Sequence, residues 1–236
     1  MQPIIEQICN IEGRHAAGTT PSPVMRAIAR HAGNEVAASV ETGSGKTTIL
    51  FSRLSKNHKA FTIDDGSSDH GTAFAANSPL FDKSTVEFIY GPTQRTLPAY
   101  HFEHELDVAL IDGPHAFPFP ELEYFHLYPK LKPGSLFILD DIHIPNINNM
   151  YKFLREDDMF DLIEVVYTTA FFRRTSAPTF DPFGDGWPTQ GYNKRRFPAT
   201  TFGKVAENKL VKAVANAMQK SRAGNRIVAA ATKLLK

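Results

Sequence analysis

Val40-Glu41-Thr42-Gly43-Ser44-Gly45-Lys46-Thr47-Thr48 stands between a short apolar run and a helical run. At first sight it is a nucleotide phosphate loop. Such a loop reads G-x-x-x-x-G-K-[ST], and its first glycine lets the backbone wrap the phosphates. Counting back from Gly45, that glycine belongs at position 40, which is Val. What remains is an acid at the end of a strand, then G-x-G, then a helix start. Glu41 there would repel a pyrophosphate but tolerate, or indirectly orient, a cationic amino-acid group. Gly43 and Gly45 allow a ligand to approach the backbone closely.

Outward from this stretch, short apolar runs alternate with helical ones. Residues 36–40, 60–63, 86–90, 108–111 and 136–139 read as strands, with a helix over 47–54. The last three runs lack strict polar alternation, as strands covered on both faces do. The rhythm predicts a doubly wound, mostly parallel α/β sheet over residues 35–175. Lys132-Pro133-Gly134 reads as a turn into the fifth strand. After a helix near 147–155, the runs 162–168 and 170–174 predict an antiparallel hairpin closing the sheet. Residues 1–34 form a helical leader, broken at Thr19-Thr20-Pro21-Ser22-Pro23. Residues 176–200 read as an aromatic, Pro- and Gly-rich loop. It carries Phe180, Phe183, Trp187, Tyr192 and Asn193 beside Asp181, Asp185 and Lys194-Arg195-Arg196, and suits a lid or an ordered surface loop. Residues 201–236 read as a helical tail. Leu210, Val214 and Met218 share one of its faces, which would suit pairing with a second copy.

Composition narrows the function. The 236 residues are 42% hydrophobic and 22% charged, in the globular range. A net charge of +1 supplies no basic footprint for nucleic acid or anionic membrane. One cysteine, Cys9, excludes an internal disulfide, and its apolar neighbourhood suits a small buried hydrophobe. The N-terminal residues show no basic n-region followed by a long apolar core, and no run is long enough to span a bilayer. These features fit a cytoplasmic protein.

In open parallel sheets, ligands bind at the carboxyl ends of the strands, near the point where strand order reverses. The strand ends here carry Glu41-Thr42-Gly43-Ser44-Gly45, Asp64-Asp65, Gly91-Pro92-Thr93-Gln94, Asp112-Gly113-Pro114-His115 and Asp140-Asp141-Ile142-His143. Each has a structural reading of equal weight. The glycines make a tight turn, Asp64 and Asp65 cap a helix, and Asp112 and Asp140 hold loop amides. Together they point to a nucleoside ligand, with Asp64 placed to accept both hydroxyls of a ribose.

These motifs resemble class I S-adenosylmethionine-dependent methyltransferases over residues 36–174. Within that class they are most similar to the catechol O-methyltransferase type and to bacterial small-molecule methyltransferases with an I-D-G-x-H signature. The resemblance implies a Rossmann-like fold. It also implies a cofactor held by Glu41, Gly43, Ser44, Gly45, Thr47, Asp64, Asp65, Thr93, Gln94 and Asp112. In metal-dependent members the corresponding residues, here Asp112, Asp140 and Asp141, hold Mg²⁺, and all three are hard oxygen donors. The family's catalytic lysine position is occupied here by His115, whose near-neutral titration suits a general base. His143 is a second candidate as base or ligand. The expected reaction is methylation of a small-molecule hydroxyl. The competing readings are a kinase or NTPase using Gly43–Thr48, and a non-catalytic binding protein on the same fold.

Overall fold

The computed structural model describes residues 2–12, 19–63 and 70–196. The chain divides into two compact units, Met1–Gln190 and Gly191–Lys236. The first begins with α1 (Gln2–Cys9) and α2 (Ser22–Ala32), the leader expected from the sequence. Then follow β1 (Val36–Thr42), α3 (Lys46–Leu54), β2 (Ser55–Thr62), α4 (Gly71–Ala76), β3 (Val86–Tyr90), α5 (Thr93–Ala99) and β4 (Leu106–Ile111). The remaining elements of this unit are α6 (Phe119–Leu127), β5 (Leu131–Leu139), α7 (Pro145–Leu154), β6 (Phe160–Val166) and β7 (Thr169–Arg174).

The seven strands lie in the order β3-β2-β1-β4-β5-β7-β6. All neighbours are parallel except β7, which runs against both β5 and β6. The hairpin is therefore present, but its second arm pairs with β5 and its first arm is the edge. Burial explains the choice. β7 is buried almost throughout and β6 alternates, as a strand with one free edge does.

Strand order reverses between β1 and β4, and in open sheets of this kind a crevice forms at the carboxyl ends of that pair. Two apolar layers cover the sheet. One contains Leu97, Leu127, Ile147, Met150 and Leu154, from α5, α6 and α7. The other contains Ile8, Met25, Ile28, Ile49 and Leu50, from α1, α2 and α3. Cys9 is fully buried in this second layer, and burial pushes its thiol up. Arg173 ties α2 to the sheet by donating to His31 O at the end of that helix (3.0 Å) and to Gly134 O in β5 (3.1 Å). A cation there also meets the negative end of the α2 dipole.

Two local readings need correction. Lys132-Pro133-Gly134 lies inside β5, where the register with β4 shifts between Leu106 and Val108 and Gly134 adopts φ 88°. A bulge, with its glycine outside the usual L-residue region, carries the strand past the proline. Residues expected in a loop form a 3-10 turn at Trp187–Thr189 and, in the second unit, α8 (Gly191–Arg196). Lys194, Arg195 and Arg196 therefore end a helix. The rest of the expected tail, from residue 197, lies outside the described residues. Among the described residues no helix is long and apolar enough to cross a membrane.

Phe172 is fully buried and packs among Phe137, Phe160 and Tyr151. Phe172→Ala should lower stability by about 3–5 kcal/mol, read as a shift in urea midpoint.

Candidate active site

The ends of β1, β4 and β5 are in register: Thr42 lies beside Ile111, and Ile111 beside Leu139. The residues that follow these ends meet at one edge. Gly43 turns the chain with φ 92°, and a Cβ there would stand 2.4 Å from Asp112 O. The loop after β1 is thus packed onto the loop after β4 at a point that admits only glycine.

The carboxylate of Glu41 turns away from this junction. It is 1% exposed, and its Oε1 accepts from the Thr48 hydroxyl and lies 3.1 Å from His58 Nε2. Thr48 Oγ1 also accepts from Gly45 N (2.9 Å), and His58 Nδ1 meets Ser39 Oγ (2.7 Å) while its ring stacks on Phe51. Glu41 therefore braces the start of α3 from inside. Lys46 is also buried. Its Nζ donates to Cys9 O (2.8 Å), and burial pulls its pKa down. A phosphate-binding lysine must reach into its loop; this one is anchored to the end of α1. The kinase reading loses its central residue.

Ser44 Oγ sits 2.9 Å from Thr62 Oγ1 and 3.3 Å from Thr72 Oγ1, and Thr47 is buried. Thr93 opens α5 as a buried residue, and Gln94 beside it is exposed. Asp64 and Asp65 lie outside the described residues.

The acids after β4 and β5 differ in their partners. Asp140 Oδ1 accepts from Thr169 Oγ1 (2.7 Å) and from Asp141 N (2.8 Å), while burial raises its pKa. Asp141, with φ 54°, pairs with His115 Nε2 at 2.9 Å and lies 3.5 Å from His143 Nδ1. The His115 bond lowers Asp141 and raises His115. Asn146 Nδ2 donates to His115 O, fixing the loop that carries the imidazole. Asp112 has no such partner among these groups. Burial, then Asp140, Asp141, Glu41 and Glu123, hold it well above the usual carboxylate range. Potential ligand atoms of Asp112, His115 and Asp141 lie within 4.8 Å of one another. The structure therefore groups His115 with two of the three expected metal acids, and engages Asp140 with Thr169.

Glu123, on α6, was not picked out from the sequence. It is 1% exposed, accepts from Thr42 Oγ1 at 2.7 Å, and is raised to about 7, chiefly by burial. Its one signal is periodicity: Pro120, Glu123 and Leu127 share the buried face of α6.

The raised pKa has a sign that can be checked. Protonation of Glu123 favours the fold fully below 4.5, and that contribution is lost as pH rises to about 7. Glu123→Gln stays neutral throughout. Near pH 8 it should be more stable than the parent by up to about 3 kcal/mol, with the difference vanishing near pH 4.5, read from denaturant midpoints at both pH values.

Residues 40–142 match the family model described as a methyltransferase domain. No curated protein sequence matches the chain. Among solved structures, TomG of Streptomyces achromogenes, an O-methyltransferase involved in tomaymycin synthesis and solved with S-adenosylmethionine, is 14% identical. It superposes with a TM-score of 0.54 over 67% of this chain and 82% of that one. A putative caffeoyl-CoA O-methyltransferase from Staphylococcus aureus is 13% identical, with a TM-score of 0.52 over 64% and 81%. An O-methyltransferase from Bacillus cereus, solved with S-adenosylhomocysteine, is 14% identical, with a TM-score of 0.51 over 72% and 88%. At these identities the likeness is one of fold. The sequence match over residues 40–142 and the likeness of fold point the same way, to a methyltransferase-like domain.

Proposed function

We propose that the protein transfers a methyl group from S-adenosylmethionine to a hydroxyl of a small molecule. The observation that carries this reading is the crevice edge above β1 and β4. There Asp112 stands among other carboxyls, and His115 sits paired at the mouth. An edge so rich in carboxylates fits a ligand bearing a cation and opposes one bearing phosphates. S-adenosylmethionine supplies an electrophilic methyl on a sulfonium, and it carries an ammonium at its amino-acid end. Asp112 is the carboxyl left to receive that ammonium, since Glu41 is engaged with Thr48 and His58.

His115 is 48% exposed at its side chain, so an acceptor can reach it. Its Nε2 is held by Asp141, which leaves Nδ1 to take the hydroxyl proton. Asp141 thereby fixes the tautomer and steadies the imidazolium formed. Thr93 and Gln94, at the start of α5, would face the adenine, and Asp64 would hold the ribose. A divalent cation also fits this donor set. Asp112 and Asp141 offer hard oxygens, with Asp140 or His115 as the third donor, and the ion would lower the acceptor hydroxyl's pKa. Phe117 (72% exposed) and the segment bearing Phe183 (90% exposed) and Trp187 offer aromatic surface suited to an acceptor ring.

Calorimetry with S-adenosylhomocysteine and with ATP, each with and without Mg²⁺, tests the cofactor. Binding of the nucleoside thioether and not of ATP is expected; the reverse would overturn the assignment. Turnover is tested by S-adenosylhomocysteine release across phenols, catechols and sugar hydroxyls. On the best acceptor, His115→Ala should cut turnover at least about a hundredfold, the scale of general base catalysis, with cofactor affinity within about threefold. Unchanged turnover would remove the base from His115.

A further inference from the structure

Glu123 is a buried carboxyl that the proposed methyl transfer does not use. Its surroundings tie it to the residue that the transfer needs most. Glu123 Oε2 accepts from Thr42 Oγ1 at 2.7 Å, and the same Thr42 Oγ1 accepts from Asp112 N at 3.2 Å. The hydroxyl is thus both donor and acceptor, spent in one line from α6 through β1 to the backbone of Asp112. Gly113 shows how tightly the carboxyl is set. A Cβ there would lie 2.5 Å from Glu123 Oε1 and 3.0 Å from Oε2. The turn after β4 therefore rests directly on the Glu123 carboxyl, and a side chain at 113 would push that carboxyl aside.

A glutamate in such a place needs a reason. Burying a carboxyl costs free energy unless hydrogen bonds repay it. Here only one oxygen is repaid: Glu123 Oε1 has no hydrogen-bond partner, nor has Thr93 Oγ1, the buried hydroxyl that also bears on this carboxyl. An apolar side chain on this face of α6 would avoid the cost. It would also leave Thr42 Oγ1 without an acceptor and the Asp112 turn without its support.

We propose that Glu123 is a positioning residue for the cofactor site: through Thr42 and by packing under Gly113, it sets the direction of Asp112 toward the cofactor's amino-acid end. The proposal rests on the reading of Asp112 as the carboxyl that receives that end. It assigns Thr42 a matching role as the relay. It also separates the two ends of the cofactor: on α5 only Thr93 bears on the Glu123 carboxyl, and the adenine-facing Gln94 beside it is exposed.

The separation supplies a test that needs no acceptor. S-adenosylhomocysteine carries the amino-acid end; 5′-methylthioadenosine lacks it and keeps the nucleoside. Calorimetry would compare both ligands on the full chain and on Asp112→Asn, Thr42→Val, Thr42→Ser, Glu123→Ala and Glu123→Gln, with thermal unfolding to confirm the folded state. Asp112→Asn, Thr42→Val and Glu123→Ala should each weaken S-adenosylhomocysteine at least tenfold while methylthioadenosine stays within threefold. Thr42→Ser and Glu123→Gln retain the hydroxyl and the acceptor, so both should keep both ligands within threefold. If Glu123→Ala fails to fold, Thr42→Val, close in shape to threonine, carries the test. Equal weakening of both ligands by Thr42→Val and Glu123→Ala would make the line merely structural and overturn the proposal. So would full affinity in those two variants while Asp112→Asn is impaired. Full affinity in Asp112→Asn would instead overturn the underlying reading of Asp112, and the positioning role with it.

Discussion

Carboxyl groups crowd the edge of the sheet above β1, β4 and β5, and the local structure is organised around making them tolerable. Each is handled differently. Glu41 is given Thr48 and His58, inside the α3 layer. Asp140 is given the Thr169 hydroxyl, Asp141 the imidazole of His115, and Glu123 a pKa of about 7 that lets it stay neutral at the cost of an ionisation. Asp112 is left, raised by burial and by its neighbours together. A carboxyl pushed up by like charges is a place where a cation gains affinity. The arrangement thus favours a positively charged ligand, and on the proposed reading the sulfonium and ammonium of S-adenosylmethionine meet that demand.

The sheet order makes this crowding unavoidable. Because strand order reverses between β1 and β4, the helices after those two strands leave to opposite faces, α3 to one and α6 to the other. The crevice so opened lies between these helices, so the strand ends themselves become its floor. Gly43 closes the floor by lying on Asp112 O, and Gly113 closes it by lying on Glu123. Small residues at these two contacts let the loops touch, and the contact sets where the acids can point.

Much of this was legible in the sequence, for a physical reason. Strands buried on both faces cannot alternate, so 86–90, 108–111 and 136–139 stood out, and the acids that follow them are conspicuous against apolar runs. Where side chains are mixed, the pattern fails. β2 begins at Ser55, within Ser-Lys-Asn-His-Lys, and nothing apolar marks its first residues. Its His58 is fully buried because Ser39 and Glu41 on β1 satisfy it across the sheet, a compensation that no local pattern displays. Lys132-Pro133-Gly134 carries turn residues, yet a bulge absorbs them within β5. Which arm of the hairpin meets β5 also depends on tertiary burial, since both arms are β-rich. Glu123 was hidden for a simpler reason: one helix turn contains Glu121 and Glu123, and only the packing of α6 decides which of them faces inward.

Lys46 shows why a motif needs its surroundings. In a phosphate loop the lysine adds positive charge where helix-end N–H groups already favour an anion. Here the same G-K-T opens α3, but the ammonium is withdrawn to the carbonyl of Cys9 and buried beneath α1. Withdrawal strips the crevice of its one local cation among the residues of this loop, while the carboxyls of the neighbouring strand ends remain. The electrostatic sign of the site is therefore set by where Lys46 goes, and Lys46 goes where it does because the leader helices are docked against α3. On the proposed reading, a segment remote in sequence from the strand ends decides that the crevice favours a cation over a phosphate.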